Sequence, residues 1–294
     1  MDSPMTAFHI DCEMSYDVVQ QSLFVFNLAI PNSSQQRVIA ETITTTPATA
    51  YDEFRDEAGH NRFLRVDVAP GPFTVRYLAT VELQPPLIDV DAPEVPLARL
   101  PGELLIYVRP SRYCEVEAIY GFAVRKFGNL PTGYRRVQAI CQWVKENVDY
   151  QTGSSTVNSS ARDVLANRAG VCRDFAHLVI ALCRALNVPA RFVTAYTRYE
   201  TPPPDFHAVV EAYLGDRWHL FDPTELAPIS DLVRLGIGRD ALDVPFATYF
   251  GSAQMRRLSP MVLQAKPGET LMTLQTEDAG IVLSPSAPVS GVRA

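Results

Sequence analysis

The sequence predicts an α+β protein: an N-terminal antiparallel β-sandwich followed by a core of helices and antiparallel sheet. Three observations carry this. Residues 1–110 hold five runs rich in β-branched and aromatic residues, parted by turn-forming pieces such as PNSSQQ, DEAGHN and APGP. A proline-rich stretch, residues 84–110, then interrupts the strand pattern. Beyond it, apolar residues recur at helical spacing before strands return.

The five runs are FHIDCEMSYDV, SLFVFNLAI, RVIAETITTT, RFLRVDVAP and FTVRYLATVEL. In the last, Phe73, Val75 and Tyr77 share one face while Thr74 and Arg76 take the other, the mark of a half-buried strand. The prolines at 85, 86, 93, 96 and 101 remove ladder donors, so residues 84–110 read as an extended linker closing a 1–110 domain. A second domain is expected over 111–250, and 251–294 reads as a C-terminal extension with short strands near 261–264 and 281–283.

Within the second domain, residues 115–127 and 134–148 have helical spacing, the latter with a Val137, Ile140, Val144 stripe. Ser160 is placed to cap a short helix, with Asp163 at its third position. Residues 172–186 form the strongest helix, with Leu178, Val179, Leu182 and Leu186 on its apolar face and Asn187 and Pro189 closing it. Three strands follow, ARFVTAYT, DFHAVVEAYL and RWHLFDP. Gly215-Asp216 joins the last two as a two-residue hairpin turn.

Composition bounds the function. The chain has 294 residues, 47% hydrophobic and 20% charged, which suits a globular protein of two domains. A net charge of -7 disfavours phosphate backbones and anionic lipid, so no nucleic acid and no membrane partner is expected. No basic leader precedes an apolar run, and the expected location is cytoplasmic. The five cysteines, an odd number with no CxxC pair, argue against a disulfide framework and a structural zinc site. No metal and no cofactor is expected.

Of those cysteines, Cys172 opens the strongest helix after Gly170-Val171. Free N–H groups and the positive end of the macrodipole favour a thiolate there, and could also hold an oxyanion. Arg173 adds positive charge. Cys183 falls on the apolar stripe as core, and Cys12, Cys114 and Cys141 lack a reactive setting. On the hairpin, pairing Leu214 with Arg217 sets Val209 opposite Asp222. His207 and Asp222 then become diagonal neighbours on one face, about 7–8 Å apart at the backbone. Asp205 is the alternative orienting carboxylate. His219 faces Ala212 on the other side and reads as structural or surface. His177 could bond Asp174 or a nearby carbonyl. Tyr150, Gln151 and Asn158, on a polar loop at 150–159, and Trp218 on the hairpin are candidates to line a cleft or hold the oxyanion.

These readings leave the Cys half and the His-Asp half unconnected. A resemblance joins them. RAGVCRDFAHLVIALCRALNVPARFVTAY and DFHAVVEAYLGDRWHLFDPT, in this order and spacing, are similar to the transglutaminase-like superfamily. The β-rich N-terminal half resembles a bacterial branch with its own N-terminal β-domain. The resemblance implies a papain-like catalytic core with Cys172, His207 and Asp222 as its triad. It implies a cysteine hydrolase or acyl transferase acting through a thioester on a peptide or protein substrate, with peptidase or amidase preferred. The alternatives are a glutamine transglutaminase taking a small amine acceptor, or a non-catalytic binding domain that kept the fold. Animal cross-linking members follow the catalytic Cys with Trp; here it is Arg173, which favours hydrolysis.

Overall fold

A computed structural model describes residues 5–198 and 205–265. The expected strand at 281–283 and the prolines at 202–204 lie outside them. The N-terminal half supplies six strands: β1 (Thr6–Val18), β2 (Ser22–Phe26), β3 (Gln36–Thr46), β4 (Tyr51–Arg55), β5 (Arg62–Val68) and β6 (Gly71–Leu83). The helical half contains α1 (Val116–Phe127), α2 (Tyr134–Asn147), β7 (Asp149–Tyr150), α3 (Ala161–Asn167), β8 (Ala169–Gly170) and α4 (Cys172–Ala185). It continues with β9 (Ala190–Tyr196), β10 (His207–Leu214), β11 (Arg217–Phe221) and β12 (Val233–Gly238), and the last described strands are β13 (Ala247–Phe250) and β14 (Ala253–Gln264).

Those last two strands return to the N-terminal half. Its two sheets have the orders β14-β1-β6-β3 and β13-β2-β5-β4, so each sheet gains an edge strand from residues 247–264, after the helical half. β14 pairs with β1 from Phe8↔Gln264 to Val18↔Ala253. The units expected at 1–110 and 111–250 are therefore not consecutive: the sandwich takes back residues from 247 onward, and the expected strand at 261–264 is the end of a much longer one. Between the sheets lies an aromatic core that includes Tyr16, Phe24, Phe26 and Phe73. Phe24 and Phe26 are stacked at 5.4 Å.

The proline-rich stretch is not an extended spacer. It makes two short 3-10 turns, over Leu97–Arg99 and Gly102–Val108, and lies against the helical half. Glu94 accepts from Arg136 Nε at 2.8 Å and bridges to Leu214. Tyr134 N–H donates to the Ala92 carbonyl at 3.0 Å. That close approach requires Gly133: it has φ 93, and a Cβ there would stand 2.4 Å from the Ala92 oxygen.

In the second half, a sheet of order β11-β10-β9-β12 packs on α4. The sequence shows an apolar stripe on α4, but nearly all of this helix is buried, because α1, α2 and α3 cover the sides that the sheet leaves open. Ser160 caps α3 as expected, its N–H donating to Asp163 Oδ2 at 3.0 Å. The hairpin register is the expected one: Leu214 pairs with Arg217 and Ala212 with His219. Gly215 and Asp216 both have positive φ, 54 and 65, as a type I′ turn requires. No helix of the described residues is long and apolar enough to cross a membrane.

Candidate active site

The site forms where the N-terminus of α4 meets the first residue of β10. Gly170 makes the entry possible. A Cβ there would fall 2.6 Å from the Asp174 Cβ, and Asp174 must sit close because its Oδ2 accepts the Val171 N–H at 2.9 Å. This carboxylate at the helix start satisfies a backbone donor and complements the macrodipole. The parallel β7–β8 pair, Asp149↔Ala169 and Tyr150↔Gly170, brings the upstream loop alongside.

Cys172 is partly exposed, whereas the other four thiols are buried. Burial pushes Cys12, Cys114 and Cys183 up to about 12 and holds Cys141 well above its ordinary value, leaving them inert as nucleophiles. The Cys172 sulfur lies 4.0 Å from the Phe206 carbonyl, one residue before His207.

His207 is buried. Its Nε2–H donates to Asp222 Oδ2 at 2.9 Å, and the ring is also hydrogen-bonded to Cys172. Burial works to lower the imidazole pKa, but the bonds to Asp222 and Cys172 outweigh it and lift the group to about 10. Asp222 is held below the usual carboxylate value. Burial opposes this, and the His207 bond with the Thr224 donors overcomes it: Thr224 N–H at 2.9 Å and its hydroxyl at 2.7 Å, both to Oδ1. The carboxylate thus fixes the ring orientation, and the ring's other side is turned to sulfur.

Of the remaining candidates, Tyr150 reaches the site. Its ring packs on Phe175 at 5.8 Å, and its hydroxyl meets the Cys172 backbone N–H and thiol. Burial first, then Cys172, raises its phenol. Gln151 is tied by its N–H to the Gly170 carbonyl at 2.9 Å and leaves its side chain exposed. Asn158 faces Arg112 at 3.5 Å. Trp218 is not at the site: it pairs with Tyr213, far along β10 from His207, and stacks on the Arg191 guanidinium at 3.9 Å. Asp222 rather than Asp205 accepts the His207 bond; the Asp205 carboxylate takes its neighbour's N–H, from Phe206, at 2.7 Å.

Three further residues find their partners here. Arg173 spends its donors elsewhere than on the thiol: it donates to Asp174 Oδ1 at 3.0 Å and to the Thr156 carbonyl at 2.8 Å, pinning the 150–159 loop. His177 does not bond Asp174. It stacks on Tyr113 at 4.9 Å and accepts the Ala241 N–H at 3.2 Å, and burial pushes it down to about 3. His219 is buried, edge-on to Tyr134, so of its two readings the structural one holds. Thr224 and Phe206 escaped the sequence reading. Thr224 had a signal, since Asp-Pro-Thr places a hydroxyl two residues after the carboxylate.

Among the described residues, no group of three or more His, Cys, Asp or Glu could hold a metal ion. A partly exposed thiol at a helix N-terminus, an imidazole beside it and a buried carboxylate behind that have the arrangement found in papain-like cysteine enzymes. Comparison with known proteins narrows this. Residues 121–223 match the transglutaminase-like superfamily, and residues 6–103 match the N-terminal domain of bacterial transglutaminases. A candidate cysteine protease of Cytophaga hutchinsonii, known from its crystal structure, is 37% identical with a TM-score of 0.86, over 92% of this chain and 94% of that one. An uncharacterised protein of Mycobacterium leprae is 27% identical over 226 residues, 72% of this chain and 80% of its own length. One from Mycobacterium tuberculosis is 26% identical over 257 residues, 78% and 81% of the two chains. The chain belongs to the transglutaminase-like superfamily, whose members include cysteine-dependent enzymes.

Proposed function

We propose that this protein is a cysteine hydrolase of amide or peptide carbonyls, a peptidase or amidase, with Cys172 as nucleophile, His207 as base and acid, and Asp222 as the group that orients it. The observation that carries this is the His207 Nε2–Asp222 bond of 2.9 Å, which directs the opposite edge of the ring to the Cys172 thiol.

In the first half-reaction the sulfur of Cys172 attacks the carbonyl carbon. A C–S bond forms and the carbonyl electron pair moves onto oxygen. The Cys172 backbone N–H and the Tyr150 hydroxyl, which lie together beside the thiol, are the donors we assign to that oxyanion. Collapse breaks the C–N bond, and the imidazolium of His207 passes its proton to the departing nitrogen, releasing ammonia or an amine. Water then gives a proton to His207 and adds to the thioester; the acid leaves and the thiolate returns. A small amine in place of water would make the same site a transferase. A thiol nucleophile must stay reduced, and this suits the cytoplasm.

The test is a peptide-library digest by wild type and Cys172→Ala, with and without added amine. Cleaved or deamidated products from wild type alone are expected without amine. Products from the Cys172→Ala protein would sink the reading; products that appear only with amine would turn it to transfer.

A further inference from the structure

The residue before the catalytic His belongs to the wrong half of the molecule. Phe206 is buried in the core of the sandwich, not in that of the helical half. Its ring stacks on Phe246 at 4.9 Å and 20° and meets Tyr196 at 5.2 Å. Phe246 stands just before β13, and its carbonyl accepts the Asn27 N–H, next to β2, at 3.0 Å. Tyr196 pairs with Val233 in the catalytic sheet, while its hydroxyl donates to the Leu28 carbonyl at 2.8 Å. Phe206 thus has its ring in one half and its backbone in the other, where its carbonyl lies 4.0 Å from the Cys172 sulfur.

The two halves are also fixed in register. β12 is an edge strand, and its outward backbone groups are taken by side-chain amides that imitate a peptide. Gln36 donates to the Arg234 carbonyl at 2.8 Å and accepts its N–H at 2.9 Å. Asn61 does the same for Ile237, at 2.9 and 2.7 Å. Each amide offers one donor and one acceptor, so the match fixes the sliding position as well as the contact. The sandwich is held against the sheet that carries His207 and cannot shift along it without breaking four hydrogen bonds.

We propose that the N-terminal sandwich is a positioning element of the active site, acting through the stacked pair Phe206 and Phe246 to hold the His207 backbone against Cys172. Asp222 sets the ring's direction from one side. The aromatic pair sets the position of the strand's first residue from the other. Misplacement by about 1 Å is enough to cost orders of magnitude in rate. Phe206 and Phe246 are positioning residues that touch no substrate.

The inference rests on Cys172 being the nucleophile, and the experiment separates the two. Phe246→Ala, Phe246→Leu and Phe73→Leu are compared with wild type for kcat, KM and the rate at which iodoacetamide alkylates Cys172. Phe73 lies in the same core, packed on Phe24 and Phe26, and serves as a control for general loss of stability. Phe246→Ala is expected to lose about tenfold in kcat at unchanged KM, with a matching fall in alkylation rate. Phe246→Leu is expected to recover most of both, and Phe73→Leu to keep wild-type values. If Phe246→Ala does not fold, Phe246→Leu and Phe246→Val are expected to show a graded loss. Wild-type alkylation and kcat in the folded variants, or an equal loss in Phe73→Leu, would overturn the proposal. Alkylation needs no substrate, so failure of every protein to turn over peptide would count against the hydrolase reading alone.

Discussion

Two charge clusters, one in each half of the molecule and each with a buried cation at its centre, Arg62 in one and His207 in the other, show what distinguishes a knot from a site. In the sandwich, Arg62 donates to Glu41 at 2.8 and 2.9 Å, to Glu53 at 2.8 and 2.9 Å and to the Ile30 carbonyl at 2.7 Å. Tyr77 adds its hydroxyl to Glu41 at 2.8 Å. The guanidinium spends all its donor nitrogens on fixed acceptors, and the cluster ties β3, β4, β5 and β6 together. In the other half Asp222 is as well satisfied, by His207 and Thr224. There the chain of bonds ends on the sulfur of a partly exposed cysteine. A buried, fully bonded centre is common to both. Only the second ends on an atom that is open to solvent in part, as the proposed nucleophile must be.

Breaking the two clusters is therefore expected to break different properties. The largest effect is on turnover: His207→Ala should lower kcat by about 10² to 10⁴-fold, the range for a lost acid–base group, while the fold survives by circular dichroism. Tyr150→Phe should lower kcat by about 10²-fold with little change in KM, read by steady-state kinetics, if its hydroxyl is an oxyanion donor. Arg62→Met should do the reverse. It strips the buried Ile30 carbonyl of its donor and the solvent-facing Glu41 and Glu53 of their partner, and costs about 1–3 kcal/mol in urea unfolding, with kcat per folded molecule unchanged.

The smallest effect is on pH dependence. The folded His207 titrates near 10 against an ordinary 6.5, so between these values the folded state holds a proton the unfolded state has lost. Its stabilising contribution is complete below 6.5 and disappears as pH rises through about 10. Urea midpoints of wild type should therefore fall over that window relative to His207→Phe. Parallel curves would contradict the charged pair. The contribution of Asp222 has the opposite sense. Its folded pKa is depressed, so its part is present above the ordinary carboxylate value of 3.8 and is lost as pH falls through the lower folded value.

What could be read from the sequence follows from how local each signal is. The hairpin was legible because Gly215-Asp216 fixes a register, and a register fixes which side chains share a face. The same register could have excluded Trp218: it pairs with Tyr213, six residues along β10 from His207, about 20 Å of strand. The cap at Ser160 and the start of α4 at Cys172 were legible for the same local reason. β4 was not, because YDEFR is exposed throughout and shows no alternation of apolar and polar positions. β12 was hidden by the two glycines of VRLGIG. The return of β13 and β14 to the sandwich is a long-range pairing that no local pattern encodes, and with it went the role of Phe206. The partners of Arg173 were not legible, because proximity in sequence to Cys172 says nothing about which way a long side chain turns; Asp174 and the Thr156 carbonyl claim it.

The most direct test of the central claim is the site and rate of iodoacetamide alkylation at neutral pH, mapped by peptide mass for wild type, His207→Ala and Asp222→Ala. The expected result is that Cys172 labels first and faster than a cysteine in a free peptide, that Cys12, Cys114, Cys141 and Cys183 stay unlabelled in the folded protein, and that the Cys172 rate falls at least about tenfold in His207→Ala and by less in Asp222→Ala. A Cys172 that labels no faster than the free peptide, or one indifferent to the loss of His207, would contradict it.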